Sequence, residues 1–304
     1  VQTCALPIFL SAGLTKPNKL GKPSYRAQKL VDFFRDDGRK VYSRDIFKRL
    51  RSVEMLIDEK YQAKDLEEIL IKYFNWLQQQ INSDLVITGY PRSFKANESL
   101  DEFKLNIKYK DTLGITFREG RIFEDGHYSM QKSYPANTDL PVQGLLVAGG
   151  FIFSETTFSK KMPYDPKLYF HGEELSLALR LFTHGWTVTH IPRVPIFHLY
   201  TDVKNLVRKL HWNEEHEKHR AIKWNELDKL SKSRLTDLIF SRVEEPFGLG
   251  AKRTVQEFIN ICGIDLFNKE VIDIDIATNN FPFRKIDSED NRFAKIKIER
   301  SEEH

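Results

Sequence analysis

Residues 148–200 hold most of the side chains whose type and spacing could do chemistry. Gly149 and Gly150 interrupt an apolar run, LLVAGGFIF. Two residues without side chains inside such a run let a ligand or a second backbone come close. A plain β-bulge would account for them too. Pro163-Tyr164-Asp165-Pro166 is a rigid turn carrying an aromatic ring, or turn chemistry and nothing more. Glu173 and Glu174 open a helix, where carboxylates are favoured by the helix dipole. Beside a glycine-rich strand, the same pair could orient or deprotonate a hydroxyl. His198 follows an apolar strand and precedes Leu199-Tyr200, as either a structural or a functional imidazole.

The elements that must position these residues are legible as patterns. Leu66, Ile69, Leu70, Tyr73, Phe74 and Leu77 recur at helical spacing, the best amphipathic helix of a helical stretch over residues 25–82. Residues 84–89 (DLVITG) read as a short buried strand ending at Tyr90-Pro91. Residues 115–123 predict a hairpin turning at Glu119-Gly120, and residues 145–153 a strand broken by the two glycines. A helix is expected over 173–186, opened by Gly172 and closed near Gly185, followed by a strand over 188–197. Residues 201–242 are charged and helical, and 271–276 and 294–298 alternate like strands, suggesting a small β tail. Strands mixed with helices define an α/β fold.

The organisation expected is a helical part over 9–80, a core over 81–200, a helical continuation to 270 and the tail beyond. Residues 1–8 (VQTCALPI) resemble the translation of a sequencing adapter and are set apart from fold reasoning. The 304 residues are 40% hydrophobic and 30% charged, an ordinary composition with no apolar run of membrane-spanning length. A net charge of +4, scattered along the chain, does not point to nucleic acid. Two cysteines without metal-type spacing, Cys4 and Cys262, suit a reducing compartment and hence a cytoplasmic location.

The stretches AGGFIFS, MPYDPKLYFHGEELSLALRLFTHGW and HLY resemble the hydroxyproline-polypeptide N-acetylglucosaminyltransferases. VITGYP at 86–91 and FGLGAKRTVQEFINICGIDL at 247–266 extend the resemblance over about residues 67–268. It implies a GT-A glycosyltransferase fold, a UDP-N-acetylglucosamine donor, a divalent metal with manganese preferred, and a hydroxyl acceptor on a protein or glycan. It also implies retention of anomeric configuration. By the same resemblance His198 is a metal ligand, Glu173 and Glu174 face sugar and acceptor, and Gly149 and Gly150 line the donor cleft. Tyr90, Phe151, Tyr164, Asp165, His171 and Gly172 join the substrate site, while Trp186 supports the helix end.

The family's Asp-Ser-His metal motif has no clear counterpart. The nearest position is Asp58, followed by Glu59 and a lysine that cannot bind metal while charged. The Asp273/Asp275 pair could share one face of a strand, but it lies past the resembling region, and Asp36-Asp37 is explained by turn chemistry. Two readings therefore stand: a metal-dependent transferase, or a transferase-like domain that binds without catalysis.

Overall fold

The computed structural model describes residues 63–286 apart from 82, 97–102, 106–110, 193, 195, 199–217, 219–220 and 280. Asp58, the Asp36-Asp37 pair and the alternating run at 294–298 lie outside the described residues.

Helix α1 (Ala63–Gln80) buries Leu70, Tyr73, Trp76 and Leu77, one apolar face at the spacing of a 3.6-residue turn. Strand β1 (Leu85–Thr88) follows and is buried along its whole length. Its side chains alternate between two cores. Leu85 and Ile87 pack with α1, Phe151 and Phe153, while Val86 joins the larger core on the other side. This makes β1 an inner strand with helices on both faces, and explains why it reads as an unbroken apolar run.

Beyond β1 come β2 (Arg92–Ala96) and β3 (Phe103–Leu105), an antiparallel pair. Strand β4 (Leu113–Phe117) is followed by the two-residue strands β5 (Phe123–Glu124) and β6 (His127–Tyr128), then by β7 (Gln131–Pro135). The expected hairpin within 115–123 takes a different form, because β4 pairs with β7. The chain between them makes its own small hairpin at Asp125-Gly126, where both residues have positive φ, 49° and 69°. An Asp-Gly pair is the stronger hairpin signal, since both central positions of a type I′ turn need that backbone.

Strands β8 (Val142–Gly144) and β9 (Ile152–Ser154) complete the sheet around β1 together with β10 (Thr187–His190) and β14 (Arg284–Lys285). Its order is β14–β8–β10–β1–β9, with β1 parallel to β10 and the other neighbours antiparallel. The expected strand over 145–153 is therefore shortened to its last residues, because the chain turns at Gly149-Gly150 before β9 begins. The expected strand over 188–197 is two strands, β10 and β11 (Phe197–His198), and β11 runs parallel to β2.

Between β9 and β10 lie the single-turn helix α2 (Phe158–Lys161) and helix α3 (Glu173–Thr183). Every residue of α3 from Leu175 to Thr183 is buried. Helices α4 (Trp224–Ile239) and α5 (Val255–Cys262) pack on it. The end of the described chain corrects a further expectation. A short hairpin, β12 (Ile264–Asp265) with β13 (Glu270–Val271), leads into helix α6 (Ile274–Thr278) where residues 271–276 read as a strand. Asp273 is the reason: its carboxylate accepts from the amides of Asp275 and Ile276, both at 3.0 Å, and caps the helix.

Two expectations for stability follow. Leu179 is fully buried in α3, so Leu179→Ala should cost about 2–5 kcal/mol in a denaturant titration. His190 is buried, with Nδ1 2.8 Å from the Thr88 carbonyl, so Nδ1 carries the hydrogen and Nε2 is bare. Burial holds its pKa down at about 4. The unfolded chain takes up this proton near the ordinary histidine value and the folded chain only near 4. Stability should thus fall between about pH 6.5 and 4, on the order of 3 kcal/mol, and His190→Gln should flatten that acid limb.

Candidate active site

The site forms where β1 ends and α3 begins. Gly172, in a left-handed conformation (φ 84°), turns the chain into α3, and a Cβ on it would lie 3.0 Å from Leu235 of α4. One turn of helix then displays Glu173 and Glu174. The Glu174 carboxylate points inward and accepts three hydrogen bonds. The Gly149 amide donates to Oε1 at 2.7 Å; the Tyr90 hydroxyl (2.5 Å) and the Gln131 side-chain amide (2.8 Å) donate to Oε2. Burial raises the pKa of Glu174, against the pull of these three donors. The Tyr90 phenol is pushed well up by burial first and by the neighbouring carboxylate second.

The glycine turn is held from the other side as well. Thr88, the last residue of β1, accepts from the Ala148 amide at 3.0 Å and donates to the Phe151 carbonyl at 2.8 Å. A Cβ on Gly150 would meet the Pro91 ring at 3.4 Å. A Cβ on Gly149 would stand 3.2 Å from Oε1 of Glu173, 3.6 Å from the Tyr164 hydroxyl and 3.7 Å from Oε1 of Glu174. Tyr90, Gly149, Gly150, Tyr164, Glu173 and Glu174, expected at the site from sequence, are thus brought together. Gly150 is exposed and Gly149 and Glu173 are part-exposed, so this cluster meets solvent.

Other expected residues go elsewhere. The ring of Phe151 packs into the α1 core, and only its carbonyl takes part in the turn. Asp165 is buried, accepting from the Lys167 amide at 3.0 Å and pairing with Arg234 of α4 at 2.7 Å. His171 bonds through Nδ1 to Asp228 at 2.6 Å. Burial pushes Asp228 up, but its bonds to Lys232 and His171 outweigh this and hold it below the usual range. Asp165 and His171 therefore fasten the loop before α3 onto α4. His198 is exposed on β11, opposite Ser93. Among the described residues, no three His, Cys, Asp or Glu side chains come together as a metal site. Two concavities, one beside Gly172 and one lined by Phe182, Trp186 and Arg253, do not include either glutamate. Trp186 supports the end of α3 as expected, its amide bonded to the Leu181 carbonyl at 2.9 Å.

Sequence reasoning missed Gln131 and Thr88. Gln131 touches Glu174 and Tyr90, 43 and 41 residues away, and no local pattern marks it. Thr88 lies inside the VITGYP motif, and its position at a strand end beside two glycines was the available signal.

A family model described as Glycosyltransferase (GlcNAc) matches residues 54–268, more than half of the chain. The chain therefore belongs to this glycosyltransferase family. Its chemistry is glycosyl transfer, which brings together a sugar donor and an acceptor. No curated protein and no solved structure matches the chain. Among the described residues, no helix is long and apolar enough to cross a membrane.

The two structural glycines should respond differently to the same change. Gly172→Ala forces a left-handed backbone and a clash with Leu235, and should cost about 1–3 kcal/mol. Gly149→Ala meets the ends of side chains and should change stability by less than about 1 kcal/mol; thermal denaturation of both variants checks this.

Proposed function

We propose that the chain transfers N-acetylglucosamine from UDP-N-acetylglucosamine to a hydroxyl of a protein or glycan, on a GT-A fold and with retention of configuration. The observation that carries this reading is the convergence of Glu173, Glu174, Tyr164 and Gly149 at the end of β1. A carboxylate pair there can orient an acceptor hydroxyl or take its proton. Two consecutive glycines leave room for a sugar that side chains would displace. The resemblance to the hydroxyproline-polypeptide transferases supplies the donor and the acceptor class.

A divalent cation, manganese by the same resemblance, would neutralise the diphosphate leaving group when bound. His198 is the candidate imidazole ligand, exposed on β11 next to the strand that continues from Tyr90-Pro91. The described residues do not complete a three-ligand set around it.

The test is UDP release from UDP-N-acetylglucosamine by the full chain, with manganese and with EDTA. Turnover should need manganese, fall about 100-fold or more in the double variant Glu173→Gln, Glu174→Gln, and be lost in His198→Ala without loss of fold. Full activity in His198→Ala would remove it from the metal. Donor binding without turnover in any condition would favour a domain that binds and does not catalyse.

A further inference from the structure

The two concavities away from the glutamates differ in size. The one beside Gly172 measures about 20 Å³, room for a water. The other measures about 190 Å³. An apolar cavity of about 150 Å³ is enough to take a benzene ring.

The larger cavity lies at the opposite end of α3 from Glu173 and Glu174. Phe182 belongs to the last turn of that helix, and Trp186 and Val188 lie at the start of β10. Leu145, just past β8, and Phe281 complete the walls. All five residues are at most 7% exposed, so the cavity is cut into the core instead of lying over it. Ile261 of α5 stands at the mouth, 41% exposed. A helix of 11 residues is about 16 Å long, so a molecule of ring size held here does not reach the glutamates.

The wall carries one charge. Arg253 lies over the face of Phe182, its guanidinium carbon 5.0 Å from the ring centre, and Nη1 donates to the Trp186 carbonyl at 3.3 Å. Both partners line the cavity, so the guanidinium is held at its wall by groups that leave its charge unmatched. A guanidinium offers five N–H donors. Among the described residues, this side chain makes that one hydrogen bond and no ion pair. The carboxylate that feels its field is Glu257, and it is spent on the cap of α5, accepting from the Thr254 amide at 2.6 Å and the Thr254 hydroxyl at 2.9 Å. A neutral hydrocarbon in this cavity would strip water from the guanidinium and return nothing, and a multiply charged anion would lose its own water to apolar walls. The complement is a single carboxylate on an apolar group. Arginine meets a carboxylate through two parallel bonds, which strengthen as water is excluded.

We propose that this cavity is a ligand site, separate from the transfer site, for a carboxylate borne on an apolar group the size of one aromatic ring, with Arg253 as its anchor. A free aryl acid and the C-terminus of a peptide ending in an aromatic residue offer that same chemistry. The inference does not depend on the transferase reading.

The test is a titration of the full chain, labelled with 13C at its methyl groups and with 15N, with phenylacetate. The methyl resonances of Leu145, Val188 and Ile261 should shift together and saturate, while the Gly149 amide stays in place. Phenylacetamide, the same shape without the charge, should bind about 10-fold or more weakly. Arg253→Gln should weaken phenylacetate by the same factor and bring it level with the amide. Ile261→Trp, a change at the half-exposed mouth, should block the cavity and abolish the Leu145 and Val188 shifts without lowering the thermal midpoint, which covers the case that Arg253→Gln fails to fold. A tripeptide ending in phenylalanine separates the sources: tighter binding than phenylacetate assigns the site to a chain end, weaker binding to a free acid. Equal affinity for phenylacetate and phenylacetamide would overturn the anchor, as would equal affinity of the unchanged chain and Arg253→Gln for phenylacetate. Methyl shifts that do not saturate, or a Gly149 amide that moves while the methyls do not, would overturn the site.

Discussion

The burial of α3 is the constraint on which the rest of the structure depends. Nine consecutive residues of this helix are hidden from water, so it must be covered on every side. The sheet, α4, α5 and the loop over residues 244–253 supply that cover. One buried position is charged. Arg180 offsets part of its desolvation by donating to the Pro163 carbonyl at 2.6 Å and the Pro246 carbonyl at 2.8 Å, while its Nε is buried without a hydrogen-bond partner. Those two bonds tie the turn before α3 to the loop after α4. The C-terminal end is closed by Thr183, whose carbonyl accepts from the amides of Lys252 and Arg253 and whose hydroxyl accepts from the Gly250 amide. Gly250 has to be glycine there, since a Cβ would lie 2.6 Å from the backbone of residues 183–184.

A helix held along its length presents its first turn at a fixed angle, and this is what the site needs. The carboxylates sit at the end of α3 that points toward the exit of β1, and Glu174 bonds the two together. Precise placement of a reacting group comes from rigid elements more than from loops. The glycine turn is itself a loop, but Thr88, Pro91 and Glu174 hold it on three sides. The same logic accounts for Asp165 and His171. Both read as chemistry in the sequence, and both are spent docking the loop before α3 onto α4, through Arg234 and Asp228. Ionisable groups near a site are often there to place it.

The sequence by itself determined the α/β class, helices α1 and α3, and strands β1 and β10, and it singled out Gly149, Glu173 and Glu174, which the fold brings together. Those features are carried by local signals. A 3.6-residue apolar period marks α1, three apolar residues and a threonine between turn formers mark β1, and Gly172 and Gly185 bracket α3. It also yielded the resemblance that the family match over 54–268 supports in its coarser form.

Only the tertiary structure decided which strand β4 would pair with, that Val271–Ile276 alternation would give way to a capped helix, and which groups meet the Glu174 carboxylate. Pairing is set by whichever distant strand can bury the same face, and a run of six such residues fits a strand or a short helix alike until Asp273 caps one end. Two adjacent glutamates are equivalent in the sequence. In the fold, a phenol, an amide side chain and a backbone amide from three remote segments converge on the carboxylate of Glu174.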